Sequence, residues 1–214
     1  MQTFPVMLNL TDRLAVVIGA GPVALRKVRA LCNAGARVRL VSPSPPEKKN
    51  ANGVELLQES YRPEHLNGAA IVFACTNDRQ CNTRIARDAR EMNVLVCAVD
   101  QPEDCDFFSP AVVHDGEVIV AVGTGGAAPG LAKYLANTLG EALPDRIGEF
   151  AACLASLREE MRNICFDARQ RHTCFRMLVS EDTYCKFLAH GPAAVRKRFE
   201  NIMKQGDTSC DSCV

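Results

Sequence analysis

The stretch VVIGAGPVALRKVRAL, Val16 to Leu31, constrains this chain more than any other. A β-branched run enters a Gly-Ala-Gly turn and leaves as a helical pattern, the order that a nucleotide-binding βα unit requires. Gly19 permits the tight turn, Gly21 lets backbone approach a pyrophosphate, and Ala24 is small enough for helix to pack on strand. The helix then directs its first N–H groups at the phosphates. Alone such a turn is a weak signal. Here it follows a strand, opens a helix and precedes a second strand at the right distance, so a dinucleotide site is expected.

Short β-branched runs continue to alternate with helical patterns, the sign of a parallel α/β sheet. Strands are expected at Leu14–Ile18, Arg37–Val41, Val54–Leu57, Ile71–Cys75 and Val94–Val99. Between the first two, Ala24, Val28, Leu31 and Cys32 share a helical face, and Gly35 sits where a helix C-cap belongs. Ser42–Asn50, SPSPPEKKN, reads as an exposed loop. After Asp100 the pattern changes. Ala111–Val122 reads as two strands about an Asp115-Gly116 turn, with His114 starting the turn. Pro129 opens a helix carrying Leu131, Leu135 and Leu139, and Leu143-Pro144 closes it. Ile147, Phe150, Leu154, Leu157, Met161 and Ile164 then keep helical spacing, and the remaining helical pattern is interrupted at His190-Gly191-Pro192.

The expected fold is therefore a Rossmann-like α/β domain over residues 1–110, a hairpin-plus-helix segment over 111–145, a helical domain over 146–205 and a mobile tail over 206–214. A hairpin and one amphipathic helix bury little alone. Pairing with a second copy of the chain would cover them, and packing between the flanking domains is the alternative.

Composition excludes some functions. Of 214 residues, 47% are hydrophobic, enough for a sizeable core, and no apolar run approaches the ~20 residues of a membrane span. The N-terminus does not read as a secretion signal. Formal net charge is zero, which argues against a general nucleic-acid binder. Eleven cysteines, an odd number scattered through strands and helices (Cys75, Cys97, Cys153), suggest reduced thiols in the cytoplasm rather than a disulfide framework. The pair Cys210 and Cys213 is read as incidental to a mobile tail.

The end of the second strand reads Val41-Ser42-Pro43-Ser44. A serine can hydrogen-bond a ribose, but the carboxylate that would exclude the 2′-phosphate of NADP is absent, so NAD and NADP are both open here. Asp100 ends a parallel strand, at the edge where α/β sheets place ligands; it is a candidate proton acceptor or a turn residue. His114 is a lesser candidate for proton transfer, read first as an exposed turn residue. Asp104, Cys105 and Asp106 lack further ligands at metal spacing, and no metal site is expected. Arg158, Arg162, Arg169, Arg171 and Arg176 are candidates for carboxylate contacts or a solvated face.

Four stretches, GAGPVALRKVRALCNAGARVRLVSP, ACTNDRQCNTRIA, VCAVDQPEDCDFFSPAVV and VAVGTGGAAPGLAKYL, resemble the precorrin-2 dehydrogenase and sirohydrochlorin ferrochelatase family, the dehydrogenase module of siroheme synthase. The resemblance runs from about Phe4 to Gly148 and more loosely beyond. No methyltransferase domain is recognisable, so the chain is similar to the free-standing form. The resemblance implies a homodimer paired through its central segment, NAD as cofactor and precorrin-2, a carboxylate-rich tetrapyrrole, as substrate. By position it implies Gly21, Pro22 and Val23 under the pyrophosphate, Ser42, Pro43 and Ser44 near the adenosine ribose, Thr76 and Asn77 beside the cofactor, and Asp100 in catalysis. Gly123-Thr124 departs from members that carry serines there.

The leading expectation is NAD-dependent dehydrogenation of precorrin-2 to sirohydrochlorin. The alternatives are a bifunctional dehydrogenase and ferrochelatase, and a non-catalytic NAD(P)-sensing module, which would not need the Asp100 segment or GTGGAAPG.

Overall fold

A computed structural model describes residues 3–44, 53–164 and 167–207. The chain divides into two compact units, Met1–Ser109 with Gly123–Ala128, and Pro110–Val122 with Pro129–Val214.

The first unit is a five-stranded parallel sheet in the order β3-β2-β1-β4-β5. Its strands are β1 (Leu14–Ile18), β2 (Arg37–Val41), β3 (Val54–Leu57), β4 (Ala69–Ala74) and β5 (Leu95–Ala98), the last two slightly displaced from the expected bounds. Helix α1 (Pro22–Asn33) joins β1 to β2, and α2 (Arg79–Glu91) joins β4 to β5. One apolar cluster sets Val16, Ile18, Val72 and Val96 against Ile85 and Ala89 of α2. The other sets Ala15, Val17, Leu40 and Phe73 against Ala24, Val28 and Leu31 of α1. Both faces of β1 are thereby filled, which is why it reads as a continuous β-branched run rather than an alternating one. Gly35, at φ 74°, follows the α1 C-cap, and the Ala36 N–H returns to the Leu31 carbonyl, closing the helix as its sequence predicts.

In the second unit β6 (Ala111–Asp115) and β7 (Val118–Val122) form an antiparallel hairpin. Because Asp115 pairs with Val118, the two-residue loop is Gly116-Glu117, one position later than expected. His114 accordingly lies within β6 opposite Ile119, not at the start of the turn. Helix α3 (Pro129–Glu141) packs on the hairpin through its small residues, with Ala132 and Ala136 buried. Gly140 lies so close to Val113 that a Cβ there would stand 2.9 Å from a Val113 methyl. The large residues of α3 do the opposite: Leu131 is 51% exposed and Tyr134 66%.

Helices α4 (Ile147–Ile164), α5 (Ala168–Leu178), α6 (Glu181–His190) and α7 (Pro192–Asp207) complete this unit. Phe150, Leu157, Met161, Leu178, Phe187, Val195, Phe199 and Ile202 form their core, while Ile164 is exposed. Ser180 caps α6, accepting from the Thr183 N–H, and Gly191 at φ 71° separates α6 from α7. Cys210 and Cys213 lie outside the described residues, as does the part of the Ser42–Asn50 loop after Ser44.

Candidate functional site

The C-terminal edge of the parallel sheet carries a cleft of about 330 Å³, lined by residues following β1, β2, β3 and β4. Its floor is the glycine turn. Gly19 has φ 108°, and a Cβ there would lie 2.5 Å from the Cys75 carbonyl oxygen. It is therefore required twice, for its backbone conformation and for the close approach of β1 to the chain leaving β4. Gly21 differs. Its φ is −70°, open to any residue, and a Cβ there meets none of the described residues within 4 Å. The described residues leave the space over Gly21 open. Gly21 is also the N-cap of α1 and supplies no side-chain cap, and Pro22 occupies the first turn, where an N–H is dispensable. The N–H groups of Val23 and Ala24 have no intrahelical acceptor at this end, so the helix presents a positive terminus to the cleft.

The opposite wall is built on Thr76. Its N–H donates to Asn82 Oδ1 (3.2 Å), its hydroxyl donates to the same oxygen (2.7 Å), and its carbonyl accepts from Asn82 Nδ2 (3.1 Å). Asn82 is almost fully buried in α2, so one amide clamps the loop on both sides. Asp78 caps α2 by accepting from the Gln80 and Cys81 N–H groups. Of the expected cofactor residues, Gly19, Gly21, Ser42, Pro43, Thr76 and Asn77 line one cleft; Pro22, Val23 and Ser44 adjoin it in sequence without lining it. The Ser42 hydroxyl is buried and accepts from the Ser44 N–H at 3.3 Å, so it shapes the chain as it leaves β2.

Sequence reasoning missed Ser60, Tyr61, Asp78 and Cys81, which also line the cleft. Asp78 had a local signal, an acidic residue ahead of a helical pattern. Tyr61 had none. Its ring is fixed from across the fold, by a hydroxyl donating to buried Asp88 (3.1 Å) and by the Arg84 guanidinium 5.8 Å from its centroid. Burial, and secondarily the Asp88 carboxylate, push the phenol well above its ordinary range. Burial raises the Cys75 thiol to about 11 against a weaker opposing effect of Lys27, and raises Cys81 as well. These groups stay neutral at physiological pH, and among the described residues Asp78 is the one carboxylate lining the cleft, so these walls offer little repulsion to a diphosphate.

Asp100 stands at the same edge, one strand over. The Val99 N–H donates to the Ala74 carbonyl (2.9 Å), carrying β4–β5 pairing one residue beyond the strands before Asp100 leaves the sheet. Asp100 has φ 59° and is exposed. The Gln101 N–H reaches back to the Ala98 carbonyl, so Asp100 is the third residue of a turn that requires positive φ. Both readings of this residue, turn former and available carboxylate, fit that geometry.

The other candidates are elsewhere. His114 is exposed on the hairpin, and the Thr124 hydroxyl accepts from the Ala128 N–H at 3.1 Å. Arg158, Arg162, Arg169 and Arg176 are exposed on α4 and α5, and Arg171 is half-buried. The eight described cysteines are free thiols; Cys75 and Cys97 are buried, and Cys153 is only half-buried. Asp104 and Asp106 bind Thr83, Arg90 and the Val96 N–H rather than converging with Cys105. Among the described residues no set of three or more His, Cys, Asp or Glu is arranged to hold a metal, and no helix is long and apolar enough to cross a membrane.

Residues 6–111 match a protein-family model described as "Putative NAD(P)-binding". The chain is 38% identical over 175 residues to siroheme synthase of Methylobacillus flagellatus, an alignment covering 80% of this chain and 38% of that one. It is 32% identical over 210 residues to siroheme synthase of Pseudomonas aeruginosa, covering 96% of this chain and 45% of the other. The chain thus spans less than half the length of these curated relatives. Its fold is that of a solved structure titled SirC, precorrin-2 dehydrogenase, with a TM-score of 0.76 at 20% identity, covering 94% of this chain and all of that one. A glycine turn, a Thr76-Asn77 wall and an aspartate turn thus share one sheet edge, in a chain that matches an NAD(P)-binding family over residues 6–111 and is similar to siroheme synthases over almost its whole length.

Proposed function

We propose that this protein oxidises precorrin-2 to sirohydrochlorin with NAD, as a homodimer in the cytoplasm. The observation that carries the reading is the pairing of an open, uncapped glycine turn with an exposed left-handed aspartate on the same sheet edge. The fit to a dinucleotide rests on Gly21, where space stands open over the backbone, and on the unshielded N-terminus of α1. Bound NAD supplies the hydride acceptor. Gly21, Pro22 and Val23 would lie under the diphosphate, Ser42, Pro43 and Ser44 would border the adenosine ribose, and Thr76 and Asn77 would stand beside the cofactor.

Precorrin-2 loses two hydrogens in this reaction, one as hydride and one as a proton. Asp100 takes the proton or balances positive charge as the hydride departs, and its free carboxylate at the ligand edge suits either role. Arginines of α4 and α5 are the candidates for the substrate's carboxylates. Homodimerisation is supported by the apolar residues that the hairpin and α3 leave exposed, and a cytoplasmic location by the free thiols.

Anaerobic incubation with precorrin-2 and NAD tests the reading directly, by appearance of the sirohydrochlorin spectrum with NADH. Asp100→Asn keeps a residue that tolerates positive φ while removing the charge, and is expected to lower turnover by about 10²–10⁴-fold with NAD affinity unchanged. Near-normal turnover of that variant would leave Asp100 a turn residue. No turnover by the wild-type chain would remove the substrate assignment.

A further inference from the structure

The residue after Asp100 is held far more firmly than a surface turn needs. Gln101 is 2% exposed. Its Nε2 faces three acceptors: Thr83 Oγ1 on α2 (2.9 Å), Asp104 Oδ2 (2.9 Å) and the Arg79 carbonyl at the start of α2 (3.4 Å). Thr83 in turn donates to the same Asp104 oxygen at 2.7 Å, closing a three-membered ring of side chains. The Gln101 carbonyl accepts from the Asp104 N–H (3.0 Å) and the Cys105 thiol (3.3 Å). Flanking ion pairs, Arg79 with Glu103 and Arg90 with Asp106, tie the same short segment to α2. Among the described residues, the Asp100 carboxylate has no partner.

A non-glycine residue at positive φ is strained and persists where its surroundings over-determine it. The Asp100–Gln101 peptide is over-determined from the Gln101 side alone. We infer that Gln101 is a positioning residue of the dehydrogenation: through Thr83 and Asp104 it bolts the Asp100 turn to α2 and fixes the carboxylate at the ligand edge. The inference rests on the reading of Asp100 given above. Asn82 on the same helix clamps Thr76, so one helix sets both the cofactor wall and the aspartate turn.

The test is a double-mutant cycle with precorrin-2 and NAD on the full chain, using Gln101→Met, Asp100→Asn and the double variant. Methionine keeps the length and removes every donor. A displacement of the order of an ångström at a reacting group costs about a hundredfold, so Gln101→Met should lower kcat between about tenfold and a hundredfold, with NAD affinity within about twofold. Because Gln101 acts through Asp100, the same change in the Asp100→Asn background should cost less than about threefold. Should Gln101→Met not fold, Gln101→Glu, which preserves shape and sets a carboxylate against Asp104, takes its place in the cycle. Losses that multiply, or a kcat within threefold of wild type while Asp100→Asn is impaired, would overturn the positioning role alone. Near-normal turnover by Asp100→Asn would overturn the catalytic reading and this inference with it. The backbone supplies a readout independent of turnover: the NMR coupling that reports Asp100 φ should be fixed in wild type and averaged in Gln101→Met, and an unchanged coupling would sink the proposal.

Discussion

In the α/β unit, β1 is buried at every residue from Leu14 to Ile18, whereas β6 and β7 of the second unit have no fully buried residue and expose every other side chain. The exposed positions of the hairpin are mostly apolar: Val112 is 43% exposed and Ile119 44%, with His114 the polar residue beside them on the same face. A strand with both faces covered by its own helices is finished within one chain. A hairpin covered on one face only, with apolar residues on the other, is not. The contrast separates a region whose stability is intramolecular from one whose exposed face is suited to a second copy.

The sharpest way to break this contrast is in the helical core. Phe187 is fully buried beneath α4 and α7, in tilted ring contact with Phe150 and under the Arg146 guanidinium. Phe187→Ala should cost about 3–5 kcal/mol and melt the second unit early in calorimetry, while titration still finds NAD bound by the first. Loss of NAD binding alongside would show that the units are energetically one. A smaller effect is expected from Ile119→Glu. It should leave the chain folded but weaken self-association by about 3 kcal/mol, the order of an uncompensated buried charge, which sedimentation equilibrium would read as a shift from dimer to monomer. A wild-type monomer, or a variant that stays dimeric, would assign the exposed face to something else.

The two cleft glycines sharpen the comparison within the first unit. Gly19→Ala meets both a positive φ and the Cys75 carbonyl, and should cost about 2 kcal/mol of stability. Gly21→Ala should leave the melting temperature almost unchanged and weaken NAD by about tenfold, since its Cβ collides with none of the described residues. Equal effects of the two on stability would refute the division of labour. The smallest expected effect concerns thiols. Burial raises Cys75 to about 11 and Cys97 to about 12, so the folded unit keeps its protons while the unfolded chain loses them near ordinary thiol pKa. Stability should be level below about pH 8.5 and decline as pH rises toward those values. Iodoacetamide at pH 8 should modify exposed Cys185 of the second unit well before Cys75 or Cys97, as mapped by mass spectrometry.

The parallel sheet was legible because its signals are local. β-branched runs, with Gly35 closing the first helix, placed β1, β2 and β3 at their observed bounds, and the glycine turn placed the floor of the cleft. What escaped is what depends on residues far apart in the chain. Tyr61 reaches Asp88 across 27 positions and Gln101 reaches Thr83 across 18, and neither pairing leaves a periodic trace. The hairpin turn slipped by one position because Asp115-Gly116 looked like its centre, whereas Asp115 is the last paired residue and uses its carboxylate elsewhere.

That carboxylate has a mechanical consequence. Asp115 Oδ2 accepts from the Gly148 N–H at 3.1 Å, and the backbones meet so closely that a Cβ on Gly148 would collide with the Asp115 carbonyl. The hairpin tip and the first turn of α4 are thus seated on each other like a tenon in its mortise. A partner strand that gripped the hairpin and rotated it would turn α4 as well, and with it the face that bears Arg158 and Arg162. Were two copies to pair through the hairpin, the angle between them would be handed on to the guanidinium groups of each.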